Sequence, residues 1–578
     1  MESLLSKPDI ITQSNASLFL DALLERGIEH VFANAGTDFA PVIEALVAAA
    51  EQGRPVPQFH TVPHENVAMC MANGYYRITG KPAAVMVHVT VGTANALCGL
   101  MNASRDNVPV LFMAGQTPHT EKGNKGSRNA SIHWGQDSFD QGGMLREYVK
   151  WDYELRTGQP VDTIVGRALD IAMSEPRGPV YLVLPREVLG DPAPAVQTRP
   201  RPRPLGSIAA VPEAAEIRKV AEAVAAAEYP LIITANSGRH FDNVSMLGRI
   251  AADFGIGVAH AGEPGARDVN IPLNHPMYLG THPVEALEKA DVIVVVDAEV
   301  PWWPRYVNVR EDARLIHLGA DPLYTRYPVR GFEMDHIVAG TSAAALPMLY
   351  NALKEAAAGK ENRIERRREA FSAISRARLA GVQKTIDEVS SLTPIHPAWL
   401  AACINQVKTP DTIIVNELGV PMDFLDLTEP GTFIGTSSAG GLGFGLGASL
   451  GAKLGAPDRN VILVAGDGSY MFGNPVPAHF VARANSLATL TVLNNNQRWH
   501  AVHRSTLAMY PEGKSAQVPL MPLVDLGPSP DFEKVIESCG GYGERVEDPG
   551  DLAAALRRGL DSVDQGRSAL INVITRGA

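Results

Sequence analysis

Short apolar runs alternate with longer alanine-rich stretches along most of the chain. The runs combine β-branched and aliphatic residues, as in PVYLVLP at 179–185, DVIVVVDA at 291–298 and NVILVAGDG at 460–468. Such runs, separated by helical patterns, are typical of parallel strands that are buried on both faces of a sheet. Further runs that we interpret as strands lie at 82–90, 108–115, 230–235, 314–319, 412–417, 488–496 and 569–575. The pattern predicts an α/β protein with doubly wound parallel sheets.

Two stretches interrupt this alternation. The segment DPAPAVQTRPRPRPLGS at 191–207 contains prolines, which are excluded from helix interiors and central strands, so it is predicted to be a linker. The stretch 354–370 is highly charged and is predicted to be helical. We therefore expect three doubly wound parallel-sheet domains, at 1–190, 205–350 and 375–578. A chain of 578 residues is long enough for three or four domains of about 150 residues each.

Composition excludes several classes of protein. The net charge of −12, without a run of Lys and Arg, argues against a nucleic-acid-binding surface. Four cysteines without CxxC spacing indicate neither a zinc site nor a disulfide framework, and they fit a cytoplasmic protein. No N-terminal signal pattern is present, and no window approaches the roughly 18 apolar residues of a membrane span. We expect a soluble protein that has no membrane segment.

Polar residues follow two consecutive predicted strands of the third domain. GDGS at 466–469 follows VILVA, and NNNQ at 494–497 follows TVL. Ligands of open parallel sheets bind beyond the carboxyl ends of the strands, where Asp467 and the asparagines would meet. Carboxylate and amide oxygens suit Mg²⁺, while Gly466, Gly468 and the Ser469 N–H suit a nearby anion. The predicted ligand is a metal-bound diphosphate, although each motif alone also fits an ordinary turn.

Taken together, the two motifs resemble the diphosphate-binding signature of thiamine diphosphate enzymes. Their spacing is 495 − 467 = 28 positions. The resemblance implies that Asp467, Asn495 and the Gln497 backbone carbonyl bind Mg²⁺, and that thiamine diphosphate is the cofactor. The segment SSAGGLGFGLGASLGAKLG at 437–455 resembles the part of these enzymes that bends the cofactor. By this resemblance Leu442 is wedged under the cofactor and the Gly440 carbonyl accepts from its amino group, although Leu442 also fits a core position.

A second segment, HENVAMCMANGYYRITGKPA at 64–83, resembles the glutamate segment of the same enzymes. The resemblance implies that Glu65 hydrogen-bonds the aminopyrimidine and promotes loss of the C2 proton, which gives an ylid and later an enamine. The alternative is a helix-initiating glutamate that complements the helix dipole. In these enzymes the glutamate reaches the cofactor of a neighbouring subunit, so a homodimer or homotetramer is implied.

The three domains then correspond to the pyrimidine-binding, central and diphosphate-binding domains of the acetolactate synthase, benzoylformate decarboxylase and pyruvate decarboxylase superfamily. Substrate-pocket residues implied by this resemblance are Thr37, His88, Gln116, His500 and Ala501, of which His88 and His500 are also candidate proton carriers. Each histidine also fits a purely structural position. Phe139 and Lys150 match a loop of acetolactate synthases, but Gln141 does not align with the glutamine of that loop.

The expected activity is decarboxylation of a 2-oxo acid, carboligation of the product, or both. The alternative is cleavage or ligation of a 2-hydroxyacyl-CoA or a similar compound, as 2-hydroxyacyl-CoA lyases perform. FAD is not supported, because the central domain shows no glycine-rich diphosphate loop, and an adenine nucleotide there stays possible. An inactive regulatory homologue is less expected, since Glu65, Asp467 and Asn495 are all present.

Overall fold

The computed structural model describes residues 13–193, 204–262 and 266–576. The chain divides into two compact units, with the boundary between Ser207 and Ile208. Most of the predicted linker, residues 194–203, lies outside the described residues. No helix within the described residues has the length and apolarity that crossing a membrane requires.

The first unit contains one parallel six-stranded sheet in the order β2-β1-β3-β4-β6-β5. Its strands are β1 (His30–Ala33), β2 (Gln58–Thr61), β3 (Ala83–Val87), β4 (Val110–Gln116), β5 (Asp152–Glu154) and β6 (Val180–Pro185). Its helices are α1 (Asn15–Glu25), α2 (Ala40–Glu51), α3 (Glu65–Thr79), α4 (Val89–Asn95), α5 (Leu97–Arg105), α6 (Ile132–Gly135), α7 (Val161–Met173) and α8 (Arg186–Gly190). Short 3₁₀ turns lie at Thr37–Phe39 and Gly142–Met144.

The second unit contains two further parallel six-stranded sheets. The central sheet has the order β12-β11-β10-β7-β8-β9, and the C-terminal sheet has the order β14-β13-β15-β16-β18-β17. The central strands are β7 (Pro230–Thr234), β8 (Gly257–His260), β9 (Tyr278–Thr281), β10 (Val292–Val296), β11 (Arg314–Gly319) and β12 (His336–Ala339). The C-terminal strands are β13 (Ile413–Glu417), β14 (Phe433–Gly435), β15 (Val461–Gly466), β16 (Leu490–Asn495), β17 (Tyr542–Val546) and β18 (Ala569–Ile574).

Helices cover both of these sheets. Those of the central region are α9 (Ala214–Ala226), α10 (Phe241–Phe254), α11 (Val284–Lys289), α12 (Ser342–Ala356) and α13 (Glu361–Val389). Those that follow are α14 (Pro397–Val407), α15 (Phe444–Gly455), α16 (Asp467–Phe472), α17 (Pro475–Ala484), α18 (His500–Met509), α19 (Phe532–Ser538) and α20 (Leu552–Asp564). Short 3₁₀ turns lie at Ser237–Arg239, Met422–Phe424 and Lys514–Gln517.

The predicted α/β class is confirmed, and one sheet falls within each of the three predicted spans. The domain boundaries themselves stay predictions. A continuous apolar core runs through the second unit, and residues of both its sheets contribute to it. A separate core fills the first unit.

Two predicted elements are wrong in detail. The strand expected at 82–90 ends at Val87, because the backbone turns at Val89, which has a φ of +33°, and α4 begins there. His88 is therefore a loop residue and not a strand residue. The charged helix expected at 354–370 is broken between Ala356 and Glu361, where Gly359 adopts a φ of +76°.

A buried carboxylate fixes the start of α15. Glu417, the last residue of β13, accepts the backbone N–H groups of Gly443, Phe444 and Gly445 at distances of 2.7, 3.2 and 2.6 Å. These are unpaired donors at the first turn of a helix, so a carboxylate there satisfies them and complements the helix dipole. Burial nevertheless raises the pKa of Glu417 to about 7. Glu417 thus connects a sheet edge to a glycine-rich helix start.

We expect Glu417→Ala to lower the free energy of unfolding by about 3 kcal/mol, because three buried N–H groups would lose their acceptor. Denaturant unfolding followed by circular dichroism measures this loss. The exposed Glu222 provides the control, since Glu222→Ala should change stability little. Equal stability of the two variants would contradict the capping role.

Candidate active site

The predicted metal ligands lie at the carboxyl ends of two neighbouring strands. β15 and β16 pair in parallel, with Gly466 opposite Asn494. Asp467 follows β15 as the first residue of α16, and Asn495 ends β16. Both side chains are buried. The register therefore places a carboxylate and an amide next to each other at one edge of the sheet.

The environment of Asp467 suits a cation ligand. Burial raises the pKa of this carboxyl to about 6, although the backbone N–H groups of Gly468 and Gln497 bond to it and oppose the rise. A buried carboxylate is disfavoured by loss of hydration, and a neighbouring cation favours its charged form. The charged form of Asp467 would therefore gain from a bound metal ion.

The three asparagines that follow the strand differ in their partners. The oxygen of Asn494 accepts from the Thr575 hydroxyl, and its nitrogen donates to the Gly419 carbonyl. The oxygen of Asn496 accepts from the backbone N–H two residues further on, at 3.0 Å. The Oδ1 atom of Asn495 is buried and meets no donor among the residues that the structure describes. Asn495 is thus the member of the row that keeps an oxygen for a ligand.

The orientation of the Asn495 amide follows from a chain of three side chains. Glu533 accepts from the Nδ2 of Asn572 at 2.8 Å, and Asn572 in turn accepts from the Nδ2 of Asn495 at 3.0 Å. A carboxylate only accepts, so Asn572 must present its nitrogen to Glu533 and its oxygen to Asn495. Asn495 must then present its nitrogen to Asn572, and its Oδ1 points away. We name Glu533, Asn572 and Asn495 the amide relay.

These groups fit Mg²⁺ with a diphosphate. The described part of the chain contains no cluster of three His, Cys, Asp or Glu side chains that could hold a metal. A cation at this edge would instead take oxygens from Asp467, Asn495, the Gln497 carbonyl and a phosphate group, which is a ligand set that Mg²⁺ accepts. Gln497 has a φ of +54°, a strained conformation for a residue with a side chain.

A tryptophan explains why a glycine follows Asp467. A Cβ atom on Gly468 would lie 2.2 Å from the Trp499 ring, so only glycine fits under that indole. At Gly466 the nearest atom to an added Cβ would be the Leu418 carbonyl oxygen at 3.6 Å, which is an ordinary contact distance. Ser469 is buried within the first turn of α16. The backbone at this helix start is therefore closely packed at Gly468 and less tightly packed at Gly466.

The segment expected to bend the cofactor lies just before α15. Gly440 is exposed and has a φ of +67°, and Leu442 is half-buried. Gly443 caps α15 with a φ of +82°, and an added Cβ there would lie 2.4 Å from the Phe472 carbonyl oxygen. Glu417 holds the following turn in place. Half-buried Leu442 therefore directly precedes a helix start that Glu417 and the close contact at Gly443 hold in place.

Glu65 belongs to the first unit. It is the first residue of α3, it is buried, and His64 caps the helix before it. The two carboxylate oxygens accept from the side-chain nitrogens of Asn34 at 2.9 Å and of Asn95 at 2.5 Å. Two amides therefore hold this carboxylate in one orientation, which a helix-dipole role alone does not require.

Three of the predicted pocket residues of the first unit lie around one cavity. Thr37, His88 and Gln116 line it together with Asp38, Val89, Thr117, Pro118, His133, Gln136 and Arg186. The Nδ1 atom of His88 lies 2.5 Å from a carboxylate oxygen of Asp38. The Gln116 side chain donates from Nε2 to the Glu154 carboxylate at 3.1 Å, and its Oε1 lies 2.8 Å from the Nε2 of His119.

The same cavity contains a second histidine. His133 is buried, and its Nδ1 accepts the backbone N–H of Asn129 at 3.1 Å, so a neutral ring carries its proton on Nε2. That Nε2 atom has no acceptor among the described residues. Burial is the main cause that lowers the pKa of His133, and the charge of Arg186 adds to it.

The remaining predicted residues lie elsewhere. His500 begins α18, is half-buried and stacks on His503, while Ala501 is exposed. Phe139 is fully exposed. The Lys150 ammonium donates to the Ile171 and Ser174 carbonyls at the end of α7, which is a helix-capping role.

Buried Gln141 donates to the Gly115 carbonyl at 2.9 Å and to the Tyr181 hydroxyl at 2.8 Å. Its amide nitrogen therefore forms hydrogen bonds with two groups inside the first unit. The structure gives it no position in the cavity around His88.

At the carboxyl edge of the central sheet the polar groups bond one another. Ser342 donates to Asp297, and Arg267 forms a buried bidentate ion pair with Glu299. Asn243 bonds the Ser342 hydroxyl at 3.0 Å. A nucleotide at this edge stays an untested prediction.

Five residues with evident roles were not predicted from the sequence. They are Asn34, Asp38, Asn95, Glu533 and Asn572. Each acts through a partner at least 30 positions away along the chain. A single sequence contains no local pattern for such pairs.

Comparison with known proteins identifies two domains of one enzyme family in this chain. Residues 14–144 match the model for the N-terminal TPP-binding domain of thiamine pyrophosphate enzymes, and residues 419–573 match the model for their C-terminal TPP-binding domain. The chain is 25% identical to the acetolactate synthase large subunit of Buchnera aphidicola, over 97% of this chain and 94% of the relative. It is also 25% identical to benzoylformate decarboxylase of Pseudomonas aeruginosa, over 96% of this chain and 98% of the relative.

A solved structure shares the fold. The thiamine diphosphate-dependent 4-hydroxybenzoylformate decarboxylase of Rhodococcus jostii superposes with a TM-score of 0.76 at 22% identity, covering 98% of this chain and 100% of that chain. The resemblance predicted from the sequence is confirmed. The chain contains the N-terminal and C-terminal TPP-binding domains of thiamine pyrophosphate enzymes, and over nearly its whole length it is similar to an acetolactate synthase and a benzoylformate decarboxylase.

Proposed function

We propose that this enzyme decarboxylates a 2-oxo acid, with or without transfer of the product to a second carbonyl compound, and that it requires Mg²⁺. The observation that carries the proposal is the buried Oδ1 of Asn495, which the amide relay holds free beside Asp467. Benzoylformate, named in one relative, is a 2-oxo acid. Thiamine diphosphate, when bound, supplies the stabilisation of a carbanion that loss of CO₂ requires.

The C-terminal sheet edge would hold the cofactor by its diphosphate. Asp467, the Asn495 oxygen and the Gln497 carbonyl would bind Mg²⁺. The backbone of Gly466, Gly468 and Ser469 would face the phosphate oxygens, where helix α16 begins. Anions are favoured at a helix start that presents unpaired N–H groups.

At the other end of the cofactor, the Gly440 carbonyl and Leu442 would meet the two rings. Glu65 would hydrogen-bond the aminopyrimidine and share a proton with it. Asn34 and Asn95 occupy one lone pair on each of its carboxylate oxygens and so fix the direction of the others. The carboxylate is therefore preorganised for one partner.

Thr37, His88 and Gln116 would surround the substrate, and His88 would exchange a proton with it. His88 lies beside Asp38, and this contact is the main cause that raises the pKa of the imidazole. Histidine is the most common general acid and base among enzyme side chains. His500 and Ala501 would border the pocket from the C-terminal domain, with His500 as a second proton carrier.

We also propose that the chain associates with itself. Met471, Phe472, Val476 and Phe480 form an exposed apolar group on α16 and α17. Exposed apolar patches of a folded protein often mark contact surfaces. The family resemblance adds that Glu65 of one subunit serves the cofactor of the next.

A substrate panel tests the proposed reaction. The purified enzyme with thiamine diphosphate and Mg²⁺ is given 2-oxo acids with aliphatic and aromatic side chains, and 2-hydroxyacyl-CoA thioesters. We expect the enzyme to release CO₂ from a 2-oxo acid. Mass spectrometry of the same reaction detects any carboligation product. Aldehyde formation from a thioester without CO₂ would contradict the proposal and favour the lyase chemistry. Inactivity on the whole panel would also contradict it.

Mixing two inactive variants tests Glu65 and self-association together. Glu65→Gln and Asp467→Ala should each lose at least about 100-fold in activity. A random dimer formed from equal amounts of both should regain about a quarter of wild-type activity, because one site of each hybrid is intact. Hybrids form only if subunits exchange between dimers. Exchange of labelled wild-type chains under the same conditions verifies this. An exchanged mixture without activity would contradict sites shared between subunits.

Substitution of Glu533 tests the amide relay. A glutamine at 533 can present either an oxygen or a nitrogen to Asn572, so Asn495 would no longer be held in one orientation. We expect Glu533→Gln to weaken Mg²⁺ affinity about 10-fold, and Asp467→Ala to weaken it more, as measured by calorimetry with thiamine diphosphate present. Glu537→Gln, on the same helix but bonded to Lys534, is the matched control. Wild-type affinity in Glu533→Gln would refute the relay.

A further inference from the structure

Asp38 and His88 form a buried pair that the sequence did not predict. Asp38 lies in the turn Thr37–Phe39 and is buried, and His88 directly precedes α4 with its side chain 18% exposed. The carboxylate oxygen and the Nδ1 atom of the ring are 2.5 Å apart. At this distance Nδ1 must carry the proton, because a carboxylate accepts and does not donate.

Two glycines, Gly36 and Gly115, lie in close contact with this pair. A Cβ atom on Gly36 would lie 2.0 Å from the Nδ1 of His88, and a Cβ on Gly115 would lie 1.8 Å from the second oxygen of Asp38. Any larger residue at either glycine would displace one partner. Two separate segments of the chain therefore leave space for the same contact.

Backbone strain occurs at the same place. Val89 directly follows His88 and has a φ of +33°, which is a rare conformation for a β-branched residue. Its N–H points to the second oxygen of Asp38 at 3.4 Å. Strained residues persist where the surroundings enforce them, and they cluster at functional sites.

Other charged and polar groups also face the pair. The Gln136 side chain and the charge of Glu65 on α3 both act on His88 in the same direction as Asp38. Arg186 of α8 and His133 of α6 line the same cavity. The Arg186 guanidinium donates hydrogen bonds to the carbonyls of Gly126 and Ser127, at 2.7 Å each. Asp38 is the carboxylate in direct contact with the imidazole.

We infer that Asp38 is a positioning residue, whose carboxylate fixes the His88 tautomer and leaves Nε2 as the nitrogen that exchanges a proton with the substrate. The inference rests on the proposed proton role of His88. It predicts that removal of the Asp38 charge weakens proton binding by His88. An opposite charge in contact typically shifts such a pKa by about 1–3 units.

The test labels histidines with diethyl pyrocarbonate, which reacts with the neutral ring, at a series of pH values. Labelling is quantified by mass spectrometry on protein without substrate or cofactor. In Asp38→Asn, the midpoint for His88 should move to lower pH by about 1 unit or more, because the imidazolium loses its counter-charge. Asp38→Ser, which is smaller and also uncharged, should show the same shift and covers the case in which Asp38→Asn misfolds.

Two controls accompany this test. The exposed His119 should show the same profile in every variant. Glu216→Gln removes a carboxylate from a different histidine, His336, at a contact of 2.8 Å, and it should leave the His88 profile unchanged. An unchanged His88 midpoint in both Asp38 variants would overturn the inference.

Kinetics separate the inference from the function on which it rests. The limb of the kcat/KM profile that depends on His88 should move to lower pH in Asp38→Asn by the same amount, and His88→Gln should abolish that limb. A shifted labelling midpoint with an unchanged pH–rate profile would overturn the proton role of His88. It would leave the contact between Asp38 and His88 standing.

Discussion

The candidate site depends on the parallel pairing of β15 with β16. With Gly466 opposite Asn494, Asp467 and Asn495 follow as neighbours at the carboxyl edge of the C-terminal sheet. Side chains alternate between the two faces of a strand, so a slip of one residue would exchange Asn495 for a neighbour. Asn494 and Asn496 already use their oxygens within the protein. The register thus selects one amide oxygen for a ligand, and the burial of both strands protects that register.

Buried carboxylates recur in this structure, and their partners distinguish their roles. Glu417 faces three backbone N–H groups and stabilises a helix start. Glu533 orients an amide relay, and Asp38 contacts one histidine. Glu65 is fixed by two asparagines. Asp467 accepts from the backbone N–H groups of Gly468 and Gln497, and burial raises its pKa to about 6. Asp467 lies beside Asn495, whose buried Oδ1 meets no donor among the described residues, so a cation bound there would favour the charged form of Asp467.

The sequence predicted the central strands and the ends of β15 and β16 because their signals are local. A buried run such as VILVA, followed by a polar residue, specifies both a strand and its end. Edge strands such as β2 (QFHT) and β5 (DYE) were not predicted, since they are short and partly polar. The turn at Val89 was not predicted because valine and threonine favour a strand, whereas the contact between His88 and Asp38, 50 positions apart, belongs to the tertiary structure. The amide relay was missed for the same reason, since Glu533 and Asn572 are 39 positions apart.

Asn495 is proposed to present its oxygen, beside Asp467, to a divalent cation. Anomalous diffraction from crystals grown with thiamine diphosphate and Mn²⁺ in place of Mg²⁺ tests this proposal directly. We predict one anomalous peak within about 2.0–2.3 Å of the Asp467 carboxylate, the Asn495 Oδ1 and the Gln497 carbonyl oxygen, with phosphate oxygens completing the coordination. A peak elsewhere, or none at this edge of the C-terminal sheet while the cofactor is bound, would contradict the account.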